Sequence, residues 1–127
     1  MMSLPDLHDG FFDGVWLSPD KAARFFVRTE AGELSTIVLS GVEALSITGL
    51  KAGNIIFDLV LISSEKLTME HVEEAYELSD GKREMSHQLL TKAQEQGLLG
   101  LELNSSYGAA GTVLFRAVDT FPEHVLA

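Results

Sequence analysis

The chain has 127 residues, no cysteine, and 19 acidic against nine basic side chains, which gives a formal charge of −10. The absence of thiols excludes disulfide bonds, a thiol nucleophile and thiolate metal ligands. The negative charge argues against binding to nucleic acid or to an anionic membrane surface, whereas it would attract a basic protein.

Turn residues divide the first half of the chain into five short segments that are typical of β-strands. In Ala22–Thr29, apolar side chains alternate with Arg24 and Arg28, which is the period of a half-buried strand. The fifth segment, Asn54–Ile62, is apolar on both faces, so we expect a central strand that is covered on each side. Because the connections are too short for crossover helices, neighbouring strands should be antiparallel. The predicted strands are Gly10–Leu17, Ala22–Thr29, Leu34–Ser40, Glu43–Thr48 and Asn54–Ile62.

The hydrophobic period then changes to that of two helices. The first is predicted over Thr68–Leu78, with Thr68 as its N-cap. The second is predicted from an N-cap at Asp80 to about Gln96, where Gly97 supplies the stop. Its apolar stripe consists of Met85, Leu89, Leu90 and Ala93.

After the helices, Leu98–Leu103 and Thr112–Val118 return to the strand pattern. These elements predict one α+β domain over residues 1–127, an antiparallel sheet of about seven strands with two helices inserted between strands five and six. The helices should bury their apolar stripes on a face of the sheet. Residues 1–9 have neither a basic stretch nor an apolar run, so we expect a cytoplasmic protein.

The chain resembles small bacterial domains of uncharacterised function in three short segments. They are Leu7-His8-Asp9-Gly10, Gly53-Asn54-Ile55-Ile56-Phe57-Asp58 and Ser106-Tyr107-Gly108-Ala109. Some proteins of this broad layout are regarded as immunity proteins for secreted toxins. The resemblance implies an accessory, non-enzymatic bacterial protein, and it assigns no site.

The densest group of potential ligands or acid–base groups is His8, Asp9 and Asp13. An imidazole with one or two carboxylates suits several divalent ions. Along a strand, however, His8 falls on the face opposite the two aspartates, so the three converge only if the chain bends at Gly10. Otherwise Asp9 caps the turn and His8 bonds locally, and we predict no metal or other cofactor. The other histidines lack the spacing of a metal site and are predicted to be surface residues: His71, His87 and His124.

A further candidate is Asp58, a carboxylate inside the most apolar segment. A buried carboxylate without a partner holds its proton, which is how catalytic acids are made. The alternatives are exposure on the outer face or a structural ion pair with Arg24, Arg28 or Arg116. Ser106 lacks the strand–turn–helix context of a nucleophile elbow, so no catalytic residue is predicted.

Four glutamates in the first predicted helix form a candidate partner-binding surface. At helical spacing i, i+3, i+4 and i+7 they would share one face of that helix. They are Glu70, Glu73, Glu74 and Glu77. Such a stripe suits the encounter with a basic protein, although an ordinary solvated helix face has the same composition.

Three functions remain open from the sequence. The first is a protein–protein interaction module, immunity-like or accessory, whose glutamates bind a basic partner. The second is an enzyme or small-ligand-binding protein that uses His8, Asp9, Asp13 or Asp58 in a cleft. The third is a homo-oligomer formed through a free strand edge or the segment Phe121–Ala127. We favour the first, and we lean against an enzyme.

Overall fold

A computed structural model describes residues 4–79 and 82–125, which form eight strands and two helices. The strands are β1 (Phe11–Ser18), β2 (Ala22–Arg28), β3 (Leu34–Ser40), β4 (Ala44–Thr48), β5 (Asn54–Ile62), β6 (Leu99–Tyr107), β7 (Ala110–Phe115) and β8 (Ala117–Phe121). A single 3-10 turn at Ser64–Lys66 leads into α1 (Met69–Ala75), and α2 (Arg83–Glu95) follows. Both helices lie between the fifth and sixth strands, as predicted.

All eight strands belong to one antiparallel sheet with the order β4-β7-β6-β5-β1-β2-β3-β8. The two ends of this order are joined, because β3 continues into β4 and β7 continues into β8. The pairing of β3 with β8 ends at Ser40 and Ala117, and the pairing of β4 with β7 begins at Ala44 and Leu114. Between them the amide of Arg116 donates to the carbonyl of Ser40 (2.9 Å). The sheet therefore closes on itself, but β1 and β5 are joined only at Phe11 and Phe12.

The inner face of the closed sheet holds the main hydrophobic core. Its largest fully buried side chains are Phe12, Phe25, Phe115, Ile37 and Leu39. In β2 every second residue is buried, which confirms the alternation predicted for this segment. The burial of these apolar surfaces supplies the main driving force for folding.

A second core lies on the outer face of the sheet, beneath the helices. Val72 and Ala75 of α1 and Ala93 of α2 pack there with Leu114 of β7. In α2 the buried stripe begins at Ser86, whereas Met85, which was predicted to face the core, is exposed. The predicted cap of α2, Asp80, lies outside the described residues. No described helix has the length and hydropathy that crossing a membrane requires.

The predicted strand count was one too low, because Arg116 divides the segment Thr112–Val118. At Arg116 the chain leaves its neighbour β4 and joins β3, and the Arg116 side chain bonds Glu43 (2.8 Å) instead of entering the core. The segment therefore belongs to two strands, β7 and β8. A change of neighbour of this kind depends on the whole sheet and leaves no local periodicity signal.

The expectation that Asn54–Ile62 is covered on both faces was wrong. Phe57 and Val60 are exposed, and the pairing of β5 with β6 shifts between Ile55 and Ile56 and again between Ile56 and Asp58. Each such bulge changes the face to which the following side chains point. The outer face of β5 is therefore open to solvent over its middle part.

Candidate functional site

The three segments that carry the resemblance meet at one end of the sheet. The turn at residues 7–10 binds β5 through two backbone hydrogen bonds, from Asp9 N to Ile56 O and from Ile56 N to Gly10 O, both 2.9 Å. Asp9 has a φ of 61°, a left-handed conformation that aspartate tolerates better than most residues. A side chain at Gly10 would overlap the Arg28 carbonyl, so glycine is required there.

Asn54 joins the other two segments. Its Oδ1 accepts from the amides of Lys51 (2.8 Å) and Ala109 (2.9 Å), and its Nδ2 donates to the carbonyls of Phe12 (3.1 Å) and Lys51 (2.7 Å). The residue is almost fully buried, and all four of its hydrogen-bonding positions are used. Gly108 has a φ of 90°, and a side chain there would overlap the Asn54 amide. We call this arrangement the Asn54 junction. Its hydrogen bonds and close packing account for asparagine at position 54 and glycine at position 108.

His8, Asp9 and Asp13 do not assemble into one site. The imidazole of His8 donates from Nδ1 to the Phe57 carbonyl (2.8 Å), and its Nε2 lies 3.5 Å from Asp9 Oδ2. The bond to Phe57 and the negative charge of Asp9 raise the pKa of His8 above 6.5. Asp13 instead receives both hydrogen bonds of the Arg28 fork, at 2.7 and 3.0 Å. Within residues 4–79 and 82–125, no three His, Cys, Asp or Glu side chains are placed to hold a metal ion.

Asp58 lies on the outer face of β5 and accepts a hydrogen bond from Asn104 Nδ2 (2.7 Å). None of the three arginines considered for it is its partner: Arg24 donates to the carbonyl of Val125, Arg28 to Asp13, and Arg116 to Glu43. Asp58 is therefore not the buried, unpartnered carboxylate from which a catalytic acid is made.

An open pocket of about 440 Å³ lies between the N-terminal segment and the β2–β3 hairpin. Its lining consists of Pro5, Asp6, His8, Thr29, Glu30, Ala31 and Glu33. Of the four predicted ligand residues only His8 reaches it. A smaller void of about 30 Å³ beside Tyr76 has room for little more than one water molecule.

α1 is fixed to the sheet by its first turn. The Thr68 hydroxyl accepts from the His71 amide (3.3 Å), and His71 Nδ1 accepts from the Thr68 amide (2.9 Å), which forms a reciprocal capping box. Since Nδ1 accepts, the proton lies on Nε2, which donates to Glu102 Oε1 of β6 (2.7 Å). The prediction that His71 is a surface histidine was wrong. The sequence signal for this capping role is that His71 stands three residues after Thr68. At that position of a capping box, glutamate or glutamine is more common.

The four glutamates of α1 do not share one face. Glu73 turns toward α2, where its Oε2 accepts from the Ser86 hydroxyl (2.8 Å) and lies 3.9 Å from Arg83. Glu70 and Glu74, one helical turn apart, are exposed. The helix ends at Ala75, so Glu77 lies beyond it. The prediction that four glutamates share one face is therefore wrong for Glu73 and Glu77.

The end of α1 places Glu77 in an unusual conformation. The Leu78 amide donates to the Glu73 carbonyl (2.9 Å) and the Glu77 amide to the Glu74 carbonyl (3.2 Å), which is the hydrogen-bonding pattern of a Schellman motif. The residue after the C-cap of this motif adopts left-handed φ and is usually glycine. Here it is Glu77, with a φ of 54°. The Glu77 side chain is exposed, as are those of Glu70 and Glu74.

We call Glu70, Glu74 and Glu77 the α1 acidic surface. None of the three makes a side-chain hydrogen bond or an ion pair with a residue in the ranges 4–79 and 82–125. By contrast, Asp13, Glu43 and Glu102 each bond a basic side chain.

No protein-family model, curated protein or solved structure matches this chain.

Proposed function

We propose that this protein is a non-enzymatic interaction module that binds a basic protein through the α1 acidic surface. The observation that carries the proposal is the contrast among the acidic side chains. The carboxylates considered for catalysis are spread over separate structural contacts, at Arg28 and at Asn104. The three carboxylates of the α1 acidic surface are exposed and have no described partner.

The packing of α1 fixes the backbone from which these three side chains extend. Val72 and Ala75 are buried against the sheet, and the bond from His71 to Glu102 ties the first turn to β6. The Schellman motif fixes the last turn. A preorganised charged surface loses less conformational entropy on binding than a flexible one, so it suits recognition.

The conformation of Glu77 supports a role in recognition. A left-handed conformation costs a residue with a side chain about 1 kcal/mol relative to glycine. Glutamate at this position makes no described contact that offsets that cost. Strained positions of this kind cluster at functional sites.

The net negative charge of the whole chain also favours a basic partner. A formal charge of −10 attracts a basic partner over distances comparable with the Debye length, about 10 Å at moderate salt, and disfavours nucleic acid. Neutralisation of a basic protein by a small acidic one is the chemistry of an immunity-like or accessory protein. In the proposal the partner is a basic protein of the same cell, and both meet in the cytoplasm.

The test is affinity capture from a lysate of the source organism at low salt, with elution by a salt gradient. We expect one basic protein to be retained and released by salt, since exposed charge pairs are screened by ions. The variant with Glu70, Glu74 and Glu77 replaced by lysine should lose it. Each reversal adds two charges, so three of them raise the formal charge from −10 to −4.

A second triple variant separates the surface from the net charge. Glu30, Glu33 and Glu123 are also exposed and lie on the β2–β3 hairpin and the C-terminal segment. Their replacement by lysine gives the same formal charge and should leave capture largely intact. Equal loss in both variants would refute a specific α1 acidic surface, and failure of the wild type to retain a basic protein would refute the proposed function.

A further inference from the structure

Most of β1 has a free edge. β1 pairs with β2 from Phe11 to Ser18 but with β5 only at Phe11 and Phe12. No other strand of the described chain lies beside Asp13–Ser18 on that side. Because a strand carries backbone donors and acceptors along both edges, such an edge is a template for another extended chain.

The other free edges carry features that prevent pairing. β8 contains Asp119 and runs into Pro122, and β5 contains Asp58. β4 has only five residues, and α1 packs against it. Charges, proline and short length are the usual protections of sheet edges. β1 itself contains Asp13, has a bulge between Phe12 and Gly14 and is followed by Pro19, but the stretch from Gly14 to Ser18 has neither a charged residue nor a proline.

The side chains of this edge are apolar and exposed. Trp16 is 41% exposed and Leu17 is 58% exposed. Of the charges nearest to them, Asp13 is bonded to Arg28 at 2.7 Å, and the Arg24 guanidinium lies 5.9 Å from the centre of the Trp16 ring. A second copy that approaches Gly14–Ser18 therefore meets mainly apolar side chains, and the carboxylate of Asp13 is paired with a basic group.

We propose that β1 pairs with β1 of a second copy, antiparallel about a two-fold axis, to form a homodimer with a continuous sheet. Directly opposed residues of antiparallel strands share a face. A pair centred on Trp16 places the two Trp16 rings together on one face. On the other face it places Val15 of each copy opposite Leu17 of the other. This register is self-complementary, as a two-fold interface requires, and it buries apolar side chains on both faces.

The experiment is sedimentation velocity over a wide range of protein concentration, at moderate salt to screen the net charge. We expect the mass of a dimer at high concentration and of a monomer on dilution. Trp16 is the chain's one tryptophan, so its emission should move to shorter wavelength as the dimer forms and the ring leaves water. A protein that stays monomeric at every concentration would overturn the inference, even if the edge then accepts a strand of another protein.

A matched pair of variants tests the position of the interface. Leu17 and Leu50 are both 58% exposed, but Leu50 lies in the turn before β5. Leu17→Lys should raise the dimer dissociation constant about tenfold or more, because it places a charge in the apolar pair with Val15. Leu50→Lys should leave it unchanged, and because both side chains are exposed, both variants should fold. Equal effects of the two substitutions would overturn the inference as well.

Discussion

The Asn54 junction and the α1 acidic surface differ in what their polar groups contact. Every hydrogen-bonding position of Asn54 is used inside the protein, whereas the carboxylates of Glu70 and Glu74 extend into water. A buried polar group without partners is costly, so its contacts are fixed by folding. An exposed carboxylate is free of that requirement. The short segments that attract attention in the sequence thus build the fold, whereas the exposed carboxylates without a described partner lie on α1.

The backbone shows the same difference. In the Asn54 junction the left-handed positions are occupied by Gly53 and Gly108, which adopt them without strain. At the end of α1 the left-handed position is occupied by Glu77. The junction is thus built for stability, and the end of α1 has a residue that stability alone does not favour.

The largest expected effect is that of Asn54→Ala. The substitution leaves the buried amides and carbonyls at Lys51, Phe12 and Ala109 without their partner, so we expect a loss of about 3–5 kcal/mol in the free energy of unfolding. Urea denaturation followed by circular dichroism measures it. The control is Asn104→Ala on β6, whose side chain is exposed and bonds only Asp58 among the described residues. A similar loss in both variants would show that the Asn54 junction is not a special point of the fold.

The sequence predicted those elements whose pattern is set by neighbours along the chain. The alternation in Ala22–Arg28 follows from one buried face, and Thr68 begins α1 because its hydroxyl binds the first turn. The place of the helices between β5 and β6 follows from the same local changes of period. These features need no knowledge of distant contacts.

The features that the sequence did not predict depend on distant contacts. The bulges of β5 arise in its pairing with β6, and the division at Arg116 arises where the closed sheet changes neighbour. Neither leaves a mark in local hydrophobicity.

The predicted face of four glutamates failed for a related reason. A seven-residue spacing shares a face only if the helix continues, and α1 ends after Ala75. Glu73 was misplaced as well, because its carboxylate accepts a hydrogen bond from the Ser86 hydroxyl of α2 and so turns toward that helix. Spacing along the chain placed Glu70 and Glu74 on the exposed side and did not place the others.

A smaller effect is expected for Glu77→Gly, which changes the left-handed residue at the end of α1. Glu77→Gly relieves a left-handed conformation, so we expect the free energy of unfolding to rise by about 1 kcal/mol while salt-sensitive capture of the basic partner weakens. The control is Asp9→Gly, which removes the same charge at a residue with a φ of 61°. Its stability gain should be smaller, because aspartate tolerates this conformation, and capture should not change. If Glu77→Gly stabilises the protein and binds the partner as well as the wild type, Glu77 has no part in recognition.

The smallest effect concerns pH and the edge of the Asn54 junction. The Phe57 carbonyl, followed by Asp9, raises the pKa of His8 above 6.5, so the folded protein binds that proton more tightly than the unfolded chain. The resulting stability is fully present below the unfolded pKa and is lost as pH rises through the higher folded pKa.

His8→Gln keeps an amide donor for Phe57 but cannot gain charge, and the other three histidines are common to both proteins. The difference in urea midpoint between wild type and variant should therefore be larger at about pH 5.5 than at about pH 8.5. Because the side chain is exposed, the change is small, and NMR titration of the His8 ring measures the pKa directly. An unshifted pKa, or a difference independent of pH, would mean that water screens both contacts and that the turn at residues 7–10 is held by its backbone bonds alone.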